Sequence, residues 1–432
     1  MANNPYLYAT PISNDSQSTA LLTTSQPSTP WTSDRTWAHA VEELSFQPLA
    51  SGNPQAYFTF SPAGLLPITL PVSKKEVLVV RDAKMVRFIM TDPRFSLARL
   101  DPKEDTVTGT GYQSPDGMLR LDAPRINHIR RRITPLFSER GIAPGRLTVG
   151  AVASRLIEQL RDGQQPLDLN KRYFEPFVVE AVALSAGITL DESHRLYAFS
   201  NRVLVRVETP EDEARISRAW CELYDYSSDL VDRKFANPDD GLLSKVVGEL
   251  KRACLGDDEI IAALGTILAG FYTPYGILSV CAVELFRYPE IVEACKKEPG
   301  LWEPVTEELM RYKAHFNFFL PRVATEDVSL GGEKITAGQV LLPSLHAAVT
   351  DPNLFTVPHV VNTRRAQSRC NIVFGAGPHF CLGAALSRQW LQVSLEQLFT
   401  TLPGLRLLQS YNDLEWLAGS ISMPERVMVI WD

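Results

Sequence analysis

Cys381 stands in the run Phe374-Gly375-Ala376-Gly377-Pro378-His379-Phe380-Cys381-Leu382-Gly383, directly before an apolar helical stretch from Ala384 to Leu398. Thiolate, not thiol, is the metal-binding form of cysteine, and a helix N-terminus favours it through its positive end and unpaired N–H groups. Gly375, Gly377 and Gly383 give the backbone conformations closed to residues with a Cβ, and let a flat ligand come close. Three chemistries fit such a residue. Cys381 can be a small buried hydrophobe, as free cysteines often are. With His379 it can bind zinc, although no second ligand pair stands at finger-like spacing. It can also be the single axial thiolate of a haem iron, which pushes electron density toward O–O cleavage.

The pattern Phe-x-x-Gly-x-His-x-Cys-x-Gly fixes five of ten positions. It resembles the haem-binding loop of the cytochrome P450 family. The resemblance extends over about residues 40–432 and includes Asp92-Pro93-Arg94-Phe95-Ser96, similar to the string after the family's second helix. It implies a mainly α fold with a small β region, a long central helix over the haem and the Cys-ligand loop beneath. It implies haem b with an axial thiolate from Cys381, flanked by Phe374, Gly375 and Gly383.

Several other residues take their expected roles from the same resemblance. Arg130, Arg322 and His379 match the ligands of the haem propionates, for which arginine forks are suited. The family usually has a histidine four residues before Arg130; Ile126 stands there, and His128 is the candidate replacement. Glu308 and Arg311 share a helix face at i,i+3. In the family a third residue, here Arg364 or Arg365, completes a structural lock with them.

The largest departure lies on the long helix. The family's oxygen-binding stretch reads Ala-Gly-x-Asp/Glu-Thr-Thr, and this chain has Ala269-Gly270-Phe271-Tyr272-Thr273-Pro274. Gly270 leaves room above the iron, and Thr273 keeps the hydroxyl that in the family contacts bound dioxygen. Tyr272 replaces the acid, and a phenol is poorly matched to proton relay at neutral pH. Protons are then expected through water, the Tyr272 hydroxyl or the substrate. Pro274 cannot donate to the Gly270 carbonyl, which predicts a kink.

The substrate pocket is expected from the loop 97–120, the helix near 263–273, Phe316, Asn317, Phe318 and Phe319 with His315, and the segment around Ile421. Its phenylalanines point to an aromatic or flat apolar small molecule, with Asn317 or His315 as polar anchor. The family reading implies consumption of O2 and two external electrons from a ferredoxin and ferredoxin reductase. Arg130, Arg131, Arg132 and Arg388 are a candidate basic patch for that acidic partner. The outcome is hydroxylation or oxidative intramolecular bond formation in specialised-metabolite biosynthesis. Peroxide-dependent turnover is an alternative, as is a non-catalytic haem protein that senses or carries a gas.

The rest of the chain must position these groups. Its 432 residues are 45% hydrophobic and 22% charged, which supports a large globular core. No linker interrupts the chain after the N-terminus, so one oxygenase domain is expected over 31–432, behind a Ser/Thr/Pro-rich disordered tail at 1–30. Net charge is −7 without a basic block, which disfavours nucleic acid or an anionic membrane as partner. Six cysteines at scattered spacing fit a reducing, cytoplasmic setting, and no transmembrane helix is expected. Strands are expected at 75–80, around 328–342 and at 427–431, a helix at 82–91, and helices through most of 124–318.

Overall fold

The computed structural model describes residues 64–70, 73–104, 112–203, 209–313, 318–365, 372–417 and 423–432. The expected tail at 1–30 and the pocket candidates His315, Phe316, Asn317 and Ile421 lie outside them.

Helices dominate. They are α1 Ala83–Thr91, α2 Arg125–Ile133, α3 Gly145–Arg161, α4 Glu175–Ala186, α5 Leu190–Val203, α6 Pro210–Ala236, α7 Asp257–Gly270, α8 Thr273–Arg287, α9 Trp302–Tyr312 and α10 Ala384–Thr401, with shorter helices between. Local chemistry sets several ends. The Asp82 carboxylate caps α1 by accepting from the Lys84 and Met85 N–H groups, both at 2.9 Å. The helix stops at Asp92, whose successor Pro93 disfavours helical backbone. Thr209 and Asp212 form a reciprocal capping box at the start of α6, with Pro210 in its first turn.

A five-stranded sheet lies to one side, built from β1 Leu65–Thr69, β2 Glu76–Val80, β3 Phe95–Ser96, β4 Arg322–Ala324 and β5 Val340–Pro343 in the order β1-β2-β5-β4-β3. Only β2 and β5 pair in parallel, with Leu78 opposite Leu341. Val77, Val79, Val340 and Leu342 share a small cluster with Phe318, separate from the main core between the helices.

α7 is apolar on every face, and its residues from Ile260 to Ala269 are almost all buried, which marks a core helix. It packs against α5 and α6, while α8 packs against α9 and α10. Asp257–Arg287 is long and apolar enough to cross a membrane by composition, yet 78% of its apolar window is buried in protein. The expected kink is present: α7 ends at Gly270 and α8 begins at Thr273.

Candidate functional site

The Cys381 loop is folded on its own backbone and on the end of α1. Cys381 N–H donates to Phe374 O at 2.8 Å and Gly375 N–H to Ile372 O at 2.7 Å. Gly375 and Gly377 have φ of +82° and +69°, and a Cβ on Gly377 would come within 2.7 Å of Met90 O. Both positions therefore demand glycine. Gly383 differs from expectation: its φ is −83°, open to any residue. A Cβ there would meet no protein atom, because Gly383 borders a cavity.

The Cys381 side chain faces that cavity, which explains why it is accessible although surrounded by protein. Burial raises the pKa of its thiol. The Gly383 N–H, Arg130 and Arg388 pull in the other direction without reversing it. The helix-end argument thus names a real influence but not the winning one; a bound cation is what would complete the thiolate.

Across the cavity stands the break between α7 and α8. With no N–H on Pro274, the Gly270 carbonyl takes the Thr273 hydroxyl instead, at 2.9 Å. A Cβ on Gly270 would meet nothing within 4 Å. Gly270, Thr273 and Pro274 line the cavity, and Tyr272 does not. The Tyr272 ring packs edge-on against Tyr197 at 5.6 Å, and its hydroxyl donates to Ser193 O at 2.7 Å. Burial pushes its pKa up. The expectation that Tyr272 sits in the catalytic space is corrected: residue 272 points behind the helix, because the bend presents 270 and 273 to the opposite side.

The cavity measures about 290 Å³. Its described lining is mostly apolar and includes no carboxylate. Phe318, Phe319, Phe374 and Trp390 are among its walls, with Arg130, His379, Thr266 and Gln113 as polar members. The His379 Nδ1 is buried and makes no hydrogen bond among the described residues. Burial, together with nearby Arg322 and Arg130, holds the pKa of His379 well down, while a hydrogen bond to the Leu121 backbone acts in the other direction. Arg322 does not reach the lining; its Nη1 donates to Leu320 O at 2.8 Å, and burial lowers its pKa to about 10. His128 is exposed and absent from the lining, so it does not replace the missing histidine; Ile126 is core. A thiol on one wall, open space at Gly270 on the other, and an orphaned imidazole beside two arginines fit a flat, iron-bearing macrocycle with anionic edges. Among the described residues no three His, Cys, Asp or Glu side chains gather around a metal-ion position.

The expected lock beneath the loop is fully formed. Glu308 accepts from Arg311 Nε and Nη2, both at 2.8 Å, and from Arg365 Nε at 3.0 Å. Arg311 Nη1 reaches Val349 O and Pro358 O, both at 2.9 Å, and Arg365 Nη1 reaches Thr356 O at 2.7 Å. Arg365, not Arg364, is the third member; Arg364 is exposed, 3.5 Å from Glu298. The expected basic patch is smaller than its composition. Arg388 is ion-paired with Glu307 and stacks over Phe374 at 4.5 Å, while Arg130 turns inward to the cavity. Arg131 and Arg132 remain exposed. Gln113, Met118 and Leu119 of the expected loop 97–120 line the cavity, whereas Trp220 from α6 joins the site without a signal in its own sequence neighbourhood, since only long-range packing brings it there.

Comparison with known proteins agrees with this geometry. Residues 301–402 match the family model for cytochrome P450. Nocardicin C N-oxygenase of Nocardia uniformis subsp. tsuyamanensis is 30% identical, over 85% of this chain and 92% of its own length. Cytochrome P450-SU2 of Streptomyces griseolus is 31% identical, over 76% of this chain and 81% of its own. The crystal structure of mycinamicin VIII C21 methyl hydroxylase from Micromonospora griseorubida, bound to mycinamicin VIII, superposes with a TM-score of 0.76 at 27% identity, covering 85% and 93% of the two chains. With a thiol loop, a broken central helix and a buried Glu-Arg-Arg lock in one fold shared at this identity and coverage, the chain belongs to the cytochrome P450 family and is an oxidoreductase of the monooxygenase type.

Proposed function

We propose that this P450 binds haem b through the Cys381 thiolate and oxidises a small, mainly apolar organic molecule in specialised-metabolite biosynthesis. The observation that carries the reading is the placement of Cys381 and the Gly270–Thr273 break on two walls of one cavity. When bound, haem supplies the reductive activation of dioxygen. Cys381 would hold the iron through its thiolate. Arg130 and the unpartnered His379 Nδ1 take the propionates, and Arg322 lends charge from behind His379. Phe374, Gly375 and Gly383 shape the loop around the ligand sulfur. Gly270 keeps space free for a small molecule on the opposite face.

Thr273 holds the hydroxyl nearest that space, and its proton rests on the Gly270 carbonyl. Tyr272 is a structural residue in this reading. With no carboxylate in the described lining, protons come through water or from the substrate. Hydroxylation is the outcome we favour, because an N-oxygenase and a methyl hydroxylase are among the similar proteins. A putative thioether synthase among the similar structures supports a second outcome, oxidative bond formation within the substrate, in which two substrate hydrogens leave with the dioxygen-derived water and no dioxygen oxygen enters the product. Electrons are supplied by a ferredoxin and its reductase, docking at a face that includes Arg131 and Arg132. One domain from about residue 31 onward, located in the cytoplasm, completes the reading.

The test is the absorption spectrum of the dithionite-reduced protein under carbon monoxide. The expected result is the strongly red-shifted Soret band of a thiolate-ligated haem, lost in Cys381→Ala. A band at the imidazole-ligated position, or an unchanged band in Cys381→Ala, refutes the assignment. Product formed under labelled dioxygen then separates the outcomes: label appears after hydroxylation and is absent after bond formation.

A further inference from the structure

We propose that Gln113 determines substrate specificity: its carboxamide Nε2 donates a hydrogen bond to a carbonyl oxygen of the substrate, held about one helical turn along α7 from the place of oxidation. The inference rests on the haem-thiolate reading above and adds the chemical class of the ligand. Gln113 lines the cavity, is 5% exposed, and its Nε2 makes no hydrogen bond among the described residues. A buried N–H donor left without a partner is costly, so an apolar wall carries one only where a ligand or water completes it.

The carboxamide is held in a built setting. Its Oε1 is 3.0 Å from the Thr266 hydroxyl on α7, which also accepts the Met118 N–H at 3.2 Å and lies 3.0 Å from Ala262 O. The next residue, Ser114, donates its N–H to the Tyr224 hydroxyl at 2.9 Å, and Tyr224 stacks on Trp220 at 5.8 Å. Two glycines make room for this. A Cβ on Gly117 would lie 2.4 Å from Gln113 Oε1, and one on Gly265 would lie 2.7 Å from the Tyr224 ring. Helix, loop and aromatic stack therefore fix the amide oxygen on Thr266 and leave the nitrogen to the cavity.

The surroundings define what it binds. Met118, Leu119, Trp220 and Ile267 line the same cavity and favour a hydrocarbon body. Thr266 precedes Gly270 by four residues, about 6 Å along the helix axis. The fitting ligand is an apolar molecule with a carbonyl acceptor several ångströms from its oxidised carbon. A site built to hydrogen-bond one substrate group also rejects analogues that lack it.

The test uses the haem-loaded protein and two probes of one shape, 1-(4-acetylphenyl)imidazole and 1-(4-isopropenylphenyl)imidazole. Each ligates iron through its imidazole nitrogen and reports binding by the Soret shift; they differ in a carbonyl against a methylene. The expected result is about three- to tenfold tighter binding of the acetyl probe by the unaltered protein, the worth of one neutral hydrogen bond. Gln113→Met should bring that ratio to about one. Gln113→Glu, which keeps the shape and puts an acceptor in place of the donor, should invert it, and serves as the readout if the methionine variant does not load haem. Equal binding by the unaltered protein, as when a retained water satisfies Nε2, overturns the proposal, as does a preference that survives in Gln113→Met. Absence of any Soret shift with either probe in the haem-loaded protein overturns the proposal alone, whereas failure to load haem, or a carbon monoxide band at the imidazole-ligated position, overturns the haem reading as well, so the two failures are distinguishable.

Discussion

Arg365→Ala tests what the buried lock around Glu308 contributes to the fold. The Arg365 Nε lies 3.0 and 3.2 Å from the two Glu308 oxygens, and its Nη atoms donate to Thr356 O, Val357 O and Val360 O at 2.7, 3.2 and 3.1 Å. The side chain is 5% exposed and that of Glu308 0%. Removing Arg365 leaves Glu308 paired with Arg311 alone and three carbonyls without their donor; at about 1–3 kcal/mol for each buried group left unsatisfied, a loss of about 3–5 kcal/mol follows. Unfolding entropy is about 2.1 cal/mol/K per residue, so 432 residues give about 0.9 kcal/mol/K and a midpoint lowered by about 3–6 °C. Arg364→Ala is the control. Arg364 and Glu298 are 76% and 62% exposed and 3.5 Å apart. Such a pair contributes about 0–1 kcal/mol, or about 1 °C at most. The assay is thermal unfolding of the haem-loaded variants by far-ultraviolet circular dichroism. Equal losses in the two variants, or a loss below about 1 °C for Arg365→Ala, would refute the argument that burial and a shared carboxylate make the difference.

Tyr272→Phe should leave the coupling of electron use to product unchanged, because the hydroxyl faces Ser193 and not the cavity. It should lower unfolding stability by about 1 kcal/mol through the lost hydrogen bond, measured by denaturant titration; altered coupling would restore Tyr272 to the proton path. His346 is buried, and desolvation with Lys313, His359 and Arg311 nearby pushes its pKa down to about 4. A depressed histidine binds its proton more readily unfolded, so its effect on stability is absent above about pH 6.5 and grows as pH falls toward 4. The integrated loss is about 3 kcal/mol, and His346→Leu should remove that part of the acid sensitivity in pH-dependent unfolding.

Much of the site was legible because its chemistry is local. The glycines and Cys381 lie within one ten-residue loop, and Glu308 and Arg311 meet across a single helical turn. The break at Thr273 followed from Pro274 and its missing N–H. Other expectations needed correction where a side chain had more than one direction open to it. Tyr272 was placed in the oxygen site by its position in a linear motif, but the bend at Phe271 turns it toward Ser193. Arg388 was counted as a free surface charge until Glu307, on a different helix, paired with it.

By itself the sequence determined the family resemblance of the Cys381 loop, the helical framework and the unusual acid-free break, because these rest on residue type, short spacing and hydrophobic period. The tertiary structure decided which arginine completes the lock, which way Tyr272 faces and that the Gln113 carboxamide meets Thr266. Each of those depends on contact between segments far apart in the chain; Gln113 and Thr266 are separated by 153 positions. Periodicity tells which face of a helix is buried, but only packing tells what that face meets.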